Sequence, residues 1–182
     1  MKILNKFDLS HIVFVLSLAQ VFAHAKEKSS TKSHEHKAHV HGSATLSIAM
    51  ENSKSGSILL ESPADNIIGF EHEAKSPSDI KTKDEALAIL KNQGSELFIF
   101  PKEKRCSINS IKVEAKKENS QSGHSEIEAH FSFSCEKELS KSSLQINLGK
   151  KFPRIEDLDV QLISDKKQSA SELEKGIGSI TF

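Results

Sequence analysis

Tryptophan and tyrosine are both missing from this chain of 182 residues, and 10 phenylalanines carry the aromatic content. Phenylalanine can fill a core, but the amphipathic aromatic surface on which bases and sugars stack is scarce. An excess of one charge is missing too. Lys+Arg and Asp+Glu each number 25, so the formal net charge is +0 with histidine neutral. Such a chain has no overall field to draw it to nucleic acid or to an anionic membrane. Signatures of catalysis are equally absent. There is no G-x-S-x-G, no glycine-rich phosphate loop opening a helix, and no C-x-x-C.

No apolar run is long enough to span a bilayer, which takes about 20 residues. The best stretch is Ile12 to Phe22, interrupted by Ser17 and Gln20. Lys2 and Lys6 precede it and Ala23-His24-Ala25 follows it. A basic start, an apolar middle and an A-x-A end form a secretory signal peptide, residues 1–25, with Lys26 opening the mature chain. A membrane anchor is the competing reading, and the shortness of the run argues against it. No cysteine lies near the cleavage point, so a lipoprotein is not expected. After cleavage no stable membrane insertion is expected, and the destination is the periplasm. His11 and His24 leave with the signal.

Cysteine is limited to Cys106 and Cys135. An even count in an exported chain predicts a disulfide. Thiolate zinc ligation is the alternative. The oxidising compartment and the apolar side of the strand carrying Cys135 favour the disulfide.

Residues 26–37, KEKSSTKSHEHK, contain no apolar side chain and are expected to form a flexible arm rich in His, Lys and Ser. From His39 the pattern alternates. Val40, Ala44, Leu46, Ile48 and Met50 share one face, while His39, His41, Ser43, Thr45 and Ser47 share the other, as in a half-buried strand. A turn at 52–56 and a returning strand over 57–61 predict a hairpin. Ile67, Ile68 and Phe70 form a short buried segment. Ser76-Pro77-Ser78-Asp79 opens a helix with Ile80, Leu87 and Leu90 on its apolar stripe, ended by Gly94. Further strands are predicted at 97–100, 106–115, 127–135, 144–148, 158–163 and 179–182. In the 106–115 strand, Ile111, Val113 and Ala115 alternate. In the strand at 127–135, Ile127, Ala129, Phe131, Phe133 and Cys135 face inward. Glu128 and His130 face outward, joined by His124 and Glu126 if the strand begins earlier. The expected fold is α+β: a mainly antiparallel β domain over 38–182, with one clear helix and a single disulfide.

What the chain has in excess is histidine near its start. Of 9 histidines, 6 precede residue 42, and HEHKAHVHG places His34, His36, His39 and His41 within eight positions. Neutral imidazole is the commonest zinc ligand, and zinc takes about four ligands. Two histidines two apart on a strand point their rings to one side. A solvated polar stretch would explain a lone histidine, but four together point to metal, with zinc ahead of nickel and copper. His72, between Glu71 and Glu73, and the set His124, Glu126 and His130 are further candidates to complete a site with His39 and His41. Glu71 and Glu126 are candidate acceptors that would fix an imidazole tautomer from behind. The spacing is not H-E-x-x-H, because Ala38 stands where the second histidine would be needed.

Four blocks then carry a resemblance: AHVHGSATLSIAME (38–51), ESPADNIIGFEHEAKS (61–76), GHSEIEAHFSFSC (123–135) and FPRIEDLDVQLIS (152–164), with Gln168 just after. In order and spacing they resemble the ZrgA-like family of periplasmic zinc-regulated proteins, long catalogued as a domain of unknown function. The resemblance implies a periplasmic zinc-binding protein that assists an uptake transporter when zinc is scarce. It puts His39, His41, His72 and His124 on the family's histidine positions, with His34, His36 and His130 supplementary. In similar proteins the middle loop is often rich in His and Asp. Here residues 116–123 are Lys, Glu, Asn, Ser, Gln and Gly, so the metal-collecting segment would be the N-terminal arm. No enzyme activity is expected. The competing functions are an exported structural or interaction module with incidental histidines and, more remotely, a zinc hydrolase using Glu71 or Glu126 as its base.

Overall fold

A computed structural model describes residues 40–117, 124–165 and 167–182. The segments expected to form the signal peptide and the arm, and the histidines His34, His36 and His39, lie outside the described residues.

The first strand, β1 (Ser43–Met50), buries Ala44, Leu46 and Ile48 and turns Ser43, Thr45 and Ser47 outward. Asn52 closes the turn that follows, its Oδ1 accepting from the backbone N–H of Lys54 at 2.8 Å and of Ser55 at 3.0 Å. β2 (Ser55–Pro63) returns antiparallel to β1, as the pattern predicts. The apolar segment after Pro63 is a short helix, α1 (Ala64–Ile68), rather than extended chain. Gly69, with φ of +85°, ends it in the left-handed region that glycine adopts without a Cβ penalty.

The long helix α2 (Pro77–Asn92) starts as expected, with Ser76 Oγ accepting from the Asp79 N–H at 3.1 Å. It buries Ala86, Leu87 and Leu90, but Ile80 is exposed. Its last hydrogen bond runs through Gln93, and Gly94 opens a further short helix, α3 (Gly94–Leu97), so Gly94 is not the stop itself. A two-residue strand, β3 (Phe98–Ile99), and a 3-10 turn at Lys102–Lys104 lead to β4 (Cys106–Lys117). After it come β5 (Ser125–Cys135), β6 (Ser143–Asn147), α4 (Leu148–Lys151), β7 (Asp157–Ile163), β8 (Gln168–Glu174) and β9 (Ile177–Thr181).

Six strands form one sheet in the order β4-β5-β2-β1-β7-β8, and β3-β6-β9 form a second. Every pairing is antiparallel except β1 with β7. That parallel pair needs a long connection, and here the connection holds all the elements from β2 to α4. The inward residues of the large sheet, the second sheet and α2 join one apolar cluster that includes Leu46, Leu60, Leu90, Phe131 and Ile146. The fold class is therefore α+β and mainly antiparallel, with α2 the one long helix among the described residues.

Two details depart from the alternation. Ile111 is exposed, because the β4–β5 register shifts between Ser110 and Lys112 and turns it out of line with Val113. The strand β8 was not expected, because its sequence QSASELE has no apolar alternation strong enough to mark it. Cys106 and Cys135 are directly opposed in the β4–β5 ladder and joined by a disulfide, with Cα atoms 3.9 Å apart. Among the described residues no helix is long and apolar enough to cross a membrane.

Candidate metal centre

His41 is not on the outward face of β1. It lies in the turn just before the strand, and Gly42 beside it has a φ of +88°. A Cβ on Gly42 would meet the Glu156 side chain at 3.2 Å. The two-residue alternation fails here because a left-handed glycine rotates the chain out of the strand. Several bonds fix the turn. Gly42 N–H donates to Asn66 Oδ1 at 2.8 Å, and Asn66 Nδ2 donates to the Ser43 carbonyl at 2.9 Å. The Gly42 carbonyl accepts from the backbone N–H groups of Glu156 at 2.7 Å and Asp157 at 3.0 Å.

Glu71 arrives from α1 by way of Gly69 and Phe70. Ser125 Oγ, at the start of β5, donates to its carbonyl at 2.9 Å. His124 is the residue just before β5. Three separate segments thus deliver His41, Glu71 and His124 to one place, with one ligand atom from each lying within 4.8 Å of the others.

The carboxylate sits between the imidazoles. His124 Nδ1 contacts Glu71 Oε2, and His41 Nε2 lies 3.3 Å from Oε1. The glutamate side chain is only 12% exposed, against 58% for His41 and 50% for His124. Glu71 Oε1 is fully buried and has no hydrogen-bond donor, since the nearby His41 nitrogen lacks the geometry. A buried carboxylate oxygen with no hydrogen-bond donor, here Oε1 beside His41 Nε2 while Oε2 meets His124, is unfavourable until a donor or a cation meets it. Two imidazoles and one carboxylate are a donor set that suits zinc, and three donors leave a coordination position open.

A cleft of about 530 Å³ adjoins the group, with Ile68, Phe70 and Ala115 among its apolar lining and Lys83 and Lys117 among its charged lining. His72 is in its wall. Its ring stacks on Phe70 at 4.6 Å, and its Nδ1 lies 3.2 Å from the Glu73 carbonyl oxygen. A carbonyl only accepts, so in the neutral ring this contact favours the tautomer with the proton on Nδ1 and the lone pair on Nε2. Glu73 faces Lys117 at 3.3 Å and Lys75 at 3.5 Å, and these ammonium groups, Lys117 above all, hold its carboxyl below the ordinary range.

The other anticipated residues go elsewhere. His130 projects from the outer face of β5 and pairs with Glu128, which also meets Lys116. Lys116 first and His130 second lower the Glu128 carboxyl below its usual value. Six residues of strand separate His130 from His124, roughly 20 Å at the rise of a β-strand, so the two cannot share an ion. Glu126 is on β5 but outside the three-donor group. Glu71, anticipated behind a ligand, is itself in the group. Sequence reasoning missed Gly42, Asn66 and Ser125, which aim the donors. An asparagine inside the apolar run ADNII was the one available signal, since a buried carboxamide must be satisfied.

The description "ZrgA family zinc uptake protein" matches the chain over residues 38–182. The chain belongs to this family. The ZrgA match begins just before the His41 turn and covers every described element, so the three-donor group lies wholly inside it. No curated protein matches the chain.

Proposed function

We propose that this protein is a periplasmic zinc-binding protein that captures Zn2+ and makes it available to a zinc-uptake transporter when the metal is scarce. The observation that carries the reading is the Glu71 carboxylate between His41 and His124, with its Oε1 buried and without a donor inside a mixed nitrogen and oxygen donor set. Membership of a zinc uptake family supports zinc over nickel or copper. The ion is cargo here, so an incomplete and half-exposed donor set suits release as well as capture. The open position goes to water or to a neighbouring imidazole, and His72 and His39 are the candidates. The disulfide agrees with an oxidising compartment.

The protein acts without catalysis in this reading. A zinc hydrolase would need a general base beside the open position. Glu71, one of the two anticipated bases, is occupied as a donor.

The test is zinc binding by the mature chain, followed by titration calorimetry with His41→Ala and His124→Ala. Each substitution should weaken the tightest event strongly, to an affinity still measurable by titration, while leaving the circular dichroism spectrum unchanged. His130→Ala should bind as wild type. An unchanged high-affinity isotherm in both His41→Ala and His124→Ala would place the site elsewhere.

A further inference from the structure

We propose that Asn66 is a positioning residue of this site, locking the turn that carries His41 to the helix that delivers Glu71. The inference rests on the zinc reading above. Asn66 lies in α1 and is 2% exposed. Its Oδ1 accepts from Gly42 N–H, and its Nδ2 donates to the Ser43 carbonyl and, at 3.2 Å, to Ser62 Oγ. Two of these three bonds grip the backbone immediately after His41.

The His41 side chain is more than half exposed, so packing does not hold it in place. Its direction depends on the backbone of a turn whose left-handed Gly42 has no side chain to anchor it. Asn66 is five residues before Glu71, and between them Gly69 turns the chain in the left-handed conformation. The α1 helix is itself pinned, because Arg154 Nη1 reaches Asp65 Oδ2 at 3.2 Å. One carboxamide therefore ties the His41 half of the donor set to the Glu71 half. A leucine or isoleucine would serve a helix in an apolar core at least as well, since a buried amide must recover its lost hydration through hydrogen bonds. The polar residue is explained by the turn it holds.

Asn66 touches no donor atom of the group, so its effect must pass through His41. Zinc affinity should then fall about 10–100-fold in Asn66→Ala, the range for groups that orient metal ligands. The same substitution made in a His41→Ala background should change affinity by less than about 3-fold, because the ring it positions is gone. Titration of wild type, both single variants and the double variant with zinc measures this. Losses that add, or wild-type affinity in Asn66→Ala, would overturn the positioning role while leaving the zinc site standing. If His41→Ala and His124→Ala do not weaken binding, the zinc reading itself fails and this inference goes with it. A second measurement needs no variant. Amide hydrogen exchange of the zinc-free wild type should show Gly42 N–H protected, and exchange at the rate of a free peptide would overturn the proposal even if Asn66→Ala does not fold.

Discussion

Glu71 is the residue whose chemistry is least comfortable without a metal. Its carboxylate is mostly removed from water, and one oxygen lacks a donor. Replacing it by glutamine keeps the shape and removes the charge. The zinc-free Glu71→Gln protein should melt at or slightly above the wild-type temperature, because a buried charge without full compensation is relieved. The zinc-bound protein should show the opposite. With zinc at 100 times the wild-type Kd, binding stabilises the native state by about 2.7 kcal/mol. For a chain of this size that is a rise in Tm of roughly 5–10 °C, and Glu71→Gln should lose most of it. Thermal melts with and without zinc decide this, and an equal rise in both proteins would remove Glu71 from the donor set. The motif FEHE announced this place in the sequence, but not the division of labour within it. Glu71 and His72 are neighbours, and only the burial of α1 and the left-handed Gly69 decide which one turns toward His124.

At the scale of elements, legibility followed the contrast between the two faces of each strand. β5 was plain because Ile127, Ala129, Phe131 and Phe133 alternate without a break with polar residues. β1 was plain only from Ser43 onward. Its apparent extension through His41 was an accident of alternation in a turn, where hydrogen bonds from Asn66, Glu156 and Asp157 override the period of two. The bulge at Ile111 and the weakly patterned β8 were hidden for the same reason: ladder pairing, set by neighbours distant in sequence, decided them. The outer face of β4 and β5 carries a pH-sensitive contribution at Glu128. Lys116, and then His130, lower the Glu128 carboxyl in the folded protein. A group with a depressed folded pKa stabilises above its unfolded value and loses that contribution as pH falls through the folded value. Stability should therefore fall as pH drops from the ordinary carboxylate range, about 4.3 for glutamate, toward more acidic values. Lys116→Met should flatten part of that fall, by no more than the about 1 kcal/mol of an ion pair reaching solvent. Urea denaturation at pH 7 and at pH 3 measures the difference. An identical pH dependence in both proteins would mean the Glu128 pairing contributes nothing.

For the molecule as a whole, the proposed zinc reading raises the question of how a donor set with two half-exposed histidines would gather a scarce ion. Residues 26–37 join directly to the segment that carries His39 and His41, and they supply His34 and His36 with no apolar side chain. The sequence of this segment offers no apolar surface to bury, and its two histidines are the groups through which it would meet a metal. Two imidazoles two positions apart would bind zinc weakly, and the tether would keep a captured ion close to the structured donors at a high effective concentration. Deleting residues 26–37 should then reduce the number of zinc ions bound per chain and leave the tightest event in place. Slower loading of the structured site at low zinc should accompany it. Because ligation requires neutral imidazole, protons compete with zinc for the same nitrogens, and both classes of binding should weaken as pH falls. Calorimetric stoichiometry of the full mature chain and the shortened chain, with stopped-flow loading at limiting zinc, separates the two contributions. Equal stoichiometry and equal loading rates would make the arm a spacer, and the His41, Glu71 and His124 group would then be the whole of the zinc chemistry.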